Sequence, residues 1–183
     1  MAQAQVPATA TIQLPVQLTV TLMDSEPVVW RQILVPADVT LAELHEIIQK
    51  AMGWQNLHDY SFQLGWGRHK SLLDAEGLLL DLLSKTEQQP IYYNYDSKDG
   101  WRHRLDAEQV EASEAQMPVC TAGDGACPPE GSGGVWGYDR LLAQLENEED
   151  PDYIDLLDRY GEIEPDAFDL SEANARLGSE TAK

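Results

Sequence analysis

Cysteine is scarce in this sequence, with only Cys120 and Cys127 in 183 residues. That is too few for a disulfide framework at this length and excludes the small, stapled secreted folds. Positive charge is scarce too: 12 Lys and Arg stand against 32 Asp and Glu, a formal net charge of −20. This balance disfavours direct nucleic-acid binding, because Lys and Arg supply most of the affinity for phosphate backbones. No apolar run approaches the roughly 18 residues of a membrane helix. The first ten residues have neither the basic nor the apolar region of a secretory signal. Also missing are a phosphate-binding glycine loop, a nucleophile elbow, a paired-histidine zinc helix and a dinucleotide fingerprint. The expectation is a cytoplasmic protein with no membrane association.

What is present predicts a folded domain, since 43% of residues are apolar and 24% charged. Residues 1–10 read as a disordered leader. From Thr11 to Leu22 every even position is aliphatic and every odd one polar or Pro, the alternation of a strand with one face on a core. Pro15 cannot donate to a ladder, so that strand is expected to start at a sheet edge. Val28 to Val35 reads as its hairpin partner. Thr40-Leu41-Ala42-Glu43 is a capping box. It opens a helix with Leu41, Leu44, Ile47, Ile48, Ala51 and Met52 on one face and Gly53 at its end. A third strand is expected near His58–Leu64, and Leu78–Leu83 is expected to form a single turn. Ile91–Tyr95 and Trp101–Ala107, joined through Asp99-Gly100, read as a hairpin. Residues 117–137, rich in Gly, Pro and Cys, read as a long loop.

Helices are expected over Tyr138–Leu145, Asp152–Tyr160 and Asp166–Leu177. Between Glu146 and Glu172 there are 12 acids and one base, Arg159, whereas all five Trp come earlier. Strands first and helices last predict an α+β fold, with a mostly antiparallel sheet, one early crossing helix and a C-terminal group of acidic helices. The core domain then spans 11–145. An acidic helical segment packed on it spans 146–177, and 178–183 form a tail.

Four groups of residues could carry chemistry. Cys120 and Cys127 could bind Zn²⁺, which takes four N or S ligands in a structural site. The remaining ligands would have to come from His45, His58, His69 or His103; plain packing of the loop and a reversible disulfide are the other readings. Asp96, Asp99, Trp101 and His103 lie on and beside the hairpin, where a carboxylate could orient a His for general-base work. The same Asp residues could equally close the turn. His58-Asp59 and His45-Glu46 form a third group, with Glu46 and Lys50 spaced as a helical ion pair. Arg68, His69 and Lys70, with Arg102 and Arg104, are the only basic clusters. They could hold a nucleic-acid strand by charge and stacking, though pairing with the acidic segment is the expected role of these arginines.

An ordered series of motifs resembles the plasmid pRiA4b ORF-3-like family. It runs from Val28-Val-Trp30-Arg31 and Thr40-Leu-Ala-Glu-Leu44-His45 through Ala51-Met-Gly-Trp54 and Leu57-His58-Asp59. It continues with Tyr95-Asp96, Asp99-Gly-Trp101-Arg-His103, the Cys120 loop to Cys127-Pro-Pro-Glu130, Gly133-Gly134, Gly137-Tyr138 and Phe168-Asp169-Leu170 with Asn174. The resemblance covers about residues 14–177 and implies a roll-like α+β domain of a bacterial, plasmid- or mobile-element-associated type. It implies no established reaction, substrate or cofactor. Ser97-Lys98 stand where the family usually has Phe-Gly, and Gly131-Ser132 where many members have a third Cys. The predicted function is a non-enzymatic binding or interaction module whose partner is another protein. Its binding-surface candidates are Asp96, Asp99, Trp101, His103, His58 and Trp136. The alternative is a metal-binding protein or metal-dependent enzyme acting on nucleic acid, with Cys120, Cys127, His45, His58 and His103 as candidate ligands.

Overall fold

The strict alternation at the start of the chain builds the centre of a sheet. In the computed structural model, which describes residues 14–85, 89–111 and 115–178, strand β1 (Val16–Leu22) buries Val16, Leu18, Val20 and Leu22 and leaves Gln17, Thr19 and Thr21 half-buried. It pairs antiparallel with β2 (Trp30–Val35) on one side and β6 (Trp101–Gln109) on the other. The edge expected from Pro15 is therefore corrected. Pro15 lies just outside the strand, and its carbonyl accepts from Val110 N at 3.0 Å, so no ladder donor is needed there. The leader expected over 1–10, most of the tail expected over 178–183 and the side chain of His69 lie outside the described residues.

Helix α1 (Leu41–Met52) has both hydrogen bonds of the capping box between Thr40 and Glu43, and ends on Gly53 in the left-handed region. Its predicted apolar face is buried, and so are two polar residues on it, His45 and Gln49. Next come β3 (Tyr60–Leu64), a two-residue β4 (Ser71–Leu72), α2 (Leu79–Lys85) and β5 (Ile91–Tyr95). The Leu78–Leu83 run is thus a short helix where a single turn was expected. With β7 at Val119–Asp124, the sheet order is β4-β3-β5-β6-β1-β2-β7, and every pairing is antiparallel. No helix among the described residues is long and apolar enough to cross a membrane.

The loop expected over 117–137 is corrected at both ends. Val119–Asp124 is strand β7, paired with β2, and Gly134–Leu145 is helix α3. The β2–β7 register shifts between Gln32 and Ile33, and Thr121, the extra residue, reaches the Gln32 carbonyl oxygen at 3.3 Å. Helices α4 (Tyr153–Tyr160) and α5 (Leu170–Gly178) follow. Asn174 on α5 seals the free edge of β7, accepting from Cys120 N at 2.8 Å and donating to Cys120 O at 2.9 Å. Arg176 Nε donates to Lys50 O at 2.9 Å, near the C-terminal end of α1. Ala173 and Leu177 join the core.

Candidate functional site

Three segments meet at one end of the sheet: the 54–59 loop after α1, the 96–100 turn of the β5–β6 hairpin, and the 125–134 segment before α3. Trp54 Nε1 donates to Pro128 O at 2.9 Å, and its ring stacks 4.9 Å from that of Tyr95. The Tyr95 hydroxyl donates to Glu130 Oε1 and accepts from Leu57 N at 2.9 Å. Glu130 Oε2 accepts from Gln55 N at 2.9 Å. Burial and the neighbouring Glu130 carboxylate push the Tyr95 phenol well above its ordinary range, so it remains a donor.

The hairpin turn is held by its own carboxylates. Asp96, with φ +54°, adopts the left-handed conformation that Asp tolerates. Its Oδ1 accepts from Lys98 N at 3.0 Å and Asp99 N at 3.3 Å. Its Oδ2 lies 3.5 Å from His58 Nε2. Asp59 Oδ1 accepts from Ser97 N and Ser97 Oγ, which holds the Asp59 carboxyl below its usual range. Asp99 Oδ2 accepts from Gly133 N at 3.0 Å. At Gly134 (φ +73°) a Cβ would sit 2.2 Å from the Asp99 carbonyl oxygen, so α3 docks on the hairpin only because Gly stands there. Gly134→Ala is expected to cost about 2 kcal/mol, from the clash and the left-handed backbone together. Chemical denaturation of the variant checks this; an unchanged midpoint would show that α3 is not pinned here.

Behind this surface lies a closed chain of hydrogen bonds. Asn56 Nδ2 donates to Glu46 Oε1 at 2.8 Å, which makes Asn56 Oδ1 an acceptor. His45 Nε2 lies 2.7 Å from that oxygen and so carries the proton. His45 Nδ1 then accepts from the Tyr93 hydroxyl at 2.8 Å, and Gln49 Nε2 donates to the same hydroxyl at 2.8 Å. The imidazole stacks on Tyr60 with ring centroids 3.6 Å apart. Burial lowers the His45 pKa, in keeping with a neutral ring whose two nitrogens are both engaged. Glu46 accepts from Asn56, a contact with no signal in the sequence spacing. A shallow hollow of about 620 Å³ opens in front, lined by Glu43, Glu46, Asn56, His58, Asp59 and Tyr60 among others.

The predicted site residues separate into surface and core. Trp136 is 78% exposed in the first turn of α3, and the His58 side chain is 37% exposed. Asp96 is buried and Asp99 half-buried, both within the turn. Trp101 and His103 are fully buried and cannot form part of a binding surface. The strand face they share points into the core, against Trp54 and Tyr93. The histidine beside a hairpin carboxylate is His58 on Asp96, and neither His103 ring nitrogen has a hydrogen-bond partner among the described residues. Sequence reasoning missed the pairing of Tyr95 with Glu130 and the His45–Tyr93–Gln49 chain. Polar residues four apart on an apolar helix face, His45 and Gln49, were the available signal.

The five candidate ligands do not assemble: no group of three or more His, Cys, Asp or Glu among the described residues could hold a metal ion. Cys120 is buried on β7 with its thiol 3.3 Å from Ala122 O, and burial pushes the Cys127 thiol up to about 12. Both are free thiols in the neighbourhood of Arg31. The basic side chains pair locally, Arg102 with Asp24 and Arg104 with Asp106, each at 2.9 Å, in place of the acidic C-terminal segment.

A family model described as plasmid pRiA4b ORF-3-like protein matches residues 15–172. The uncharacterized protein y4hQ of Sinorhizobium fredii is 33% identical, over 92% of this chain and 93% of its own length. The crystal structure of MM3350, a protein of unknown function from Methanosarcina mazei Go1, superposes with a TM-score of 0.77 at 30% identity. That match covers 87% of this chain and 97% of the other.

Proposed function

The chain belongs to the plasmid pRiA4b ORF-3-like family, and from that premise we propose that it works as a binding module for a basic segment of another protein, through the end of the sheet where the three segments meet. One observation carries this reading. The polar groups there are tied to one another, whereas two large apolar side chains, Leu57 at 66% and Trp136 at 78%, stand exposed. The Tyr95 hydroxyl links the backbone of Leu57 to Glu130, in the segment leading to Trp136. Apolar anchors on a rigid, internally satisfied scaffold are the anatomy of a binding surface, and Trp is the residue most enriched at its energetic centre.

The charge sets the partner's sign. Glu43, Glu46 and Asp59 line the neighbouring hollow, and the whole chain carries −20. A segment combining Lys or Arg with an apolar anchor fits both features, with long-range attraction steering the encounter. The test is titration with Lys/Arg-rich peptides, with and without a Leu or Trp, at low and high salt. Binding should weaken with salt, and Trp136→Ala should lower affinity about tenfold or more. No saturable binding, or equal binding by Trp136→Ala and Leu57→Ser, would overturn the reading.

A further inference from the structure

The opposite, outer face of the sheet carries a second and chemically different surface. Lys70, exposed after β3, lines a groove there, and Arg102 and Arg104 stand on the same face of β6, Arg104 paired with Asp106. Trp66 lies among them and is 53% exposed. The Arg102 guanidinium lies 4.1 Å from the Trp66 ring centroid, itself held by Asp24 at 2.9 Å, and the Tyr92 ring meets the indole edge-on at 5.4 Å. The indole is therefore fixed in orientation while about half its surface stays open, as a stacking platform requires.

A groove of about 340 Å³ runs beside it, lined by Ser61, Gln63, Trp66, Gly67, Lys70, Leu72 and Asn94. Asn94 Nδ2 donates to Ser61 Oγ at 3.4 Å and Gln63 Nε2 to Gly65 O at 3.5 Å, so each amide keeps a carbonyl oxygen able to accept from an exocyclic amine. The volume is at the small end of ligand sites, about 300 Å³ and upward. These features together call for a ligand with a flat ring, polar ring edges and a negative charge.

We propose that this groove binds a mononucleotide, its base stacked on Trp66 and its phosphate drawn to Lys70. Length separates it from a nucleic-acid strand. A chain of net charge −20 repels every further phosphate of a polyanion, whereas a single nucleotide brings its phosphate only to the local cations. The site is distinct from the loop end of the sheet, and its test is independent of the protein-binding reading.

The experiment is calorimetric titration of the full chain with AMP, adenosine, ribose 5-phosphate and a single-stranded oligoadenylate. AMP should bind saturably, with adenosine and ribose 5-phosphate each weaker by about tenfold or more, because each lacks one half of the recognition. Trp66→Ala should weaken AMP by a similar factor. Lys70→Glu, an exposed change that leaves the indole in place, should weaken AMP but not adenosine. Circular dichroism melting establishes that both variants are folded. Three results would overturn the proposal: no saturable AMP binding, ribose 5-phosphate binding as tightly as AMP, or oligoadenylate binding tighter than AMP per strand.

Discussion

Replacing Arg31 by Leu should destabilise the protein on the order of 3–5 kcal/mol, the largest effect expected of any single side chain outside the aliphatic core. Arg31 is 2% exposed. Its Nη1 donates to Trp30 O and Asp124 O at 2.7 Å, its Nη2 to Gly125 O at 2.9 Å and its Nε to Ala51 O at 3.3 Å. The guanidinium lies 4.3 Å from the centroid of the Phe168 ring. One planar fork thus joins β2, the end of β7, the last turn of α1 and the segment before α5. Burial lowers its pKa, partly offset by the two thiols and Asp124, and the group remains charged.

Removing that fork leaves buried carbonyls without a donor, each costing about 1–3 kcal/mol where water cannot replace it. Arg31→Lys should restore only part of the loss, since a single ammonium cannot reach carbonyls spread around a planar fork. Urea unfolding reads the effect as a lower midpoint at unchanged slope. A shift worth less than about 1 kcal/mol for Arg31→Leu would mean that water satisfies those carbonyls and that the fork does not organise the four elements.

Much of the fold was legible because local chemistry and tertiary role coincide. The alternation of Val16 to Leu22, the Thr40–Glu43 capping box and the Asp99-Gly100 turn each specify their element from within a few residues. β7 was illegible for the converse reason. Val-Cys-Thr-Ala-Gly-Asp has no alternation and contains Gly, and its extended form depends on β2 on one side and Asn174 on the other. Arg31 was equally silent, since its hydrogen-bond partners are backbone carbonyls, which every residue possesses.

The candidate site was legible in its parts but not in its pairings. Period two placed Trp101 and His103 on one face, as observed, but could not decide whether that face met water or core. The turn role read for Asp96 was visible locally. Its contact with His58, 38 residues earlier, is a product of β3 pairing with β5 and has no local signature. Glu130 and Tyr95, and His45 and Tyr93, likewise meet across elements whose separation only the fold sets.

The burial of His103 also predicts how the protein responds to acid. Its ring is fully buried between Trp54 at 5.3 Å and Tyr93 at 5.4 Å, and burial drives its pKa from 6.5 down to about 3. The folded pKa lies below the unfolded one, so this group's contribution is complete above about pH 6.5 and is lost as pH falls through the window down to about pH 3. Within that window the unfolded chain binds a proton that the native one refuses, at about 1.4 kcal/mol per pH unit. Between about pH 7.5 and pH 5 the protein should lose about 2 kcal/mol from His103 alone. His45, also lowered by burial, adds in the same direction, and Asp59 does so only below the usual carboxylate range. His103→Phe fills similar volume and removes a ring whose nitrogens have no partner among the described residues, so it should keep most of the stability at neutral pH and flatten the acid slope by the His103 share. Unfolding midpoints of both proteins across this pH range provide the comparison. An unaltered slope in His103→Phe would show that His103 gains its proton without unfolding, and that water or a carbonyl reaches the ring inside the native core.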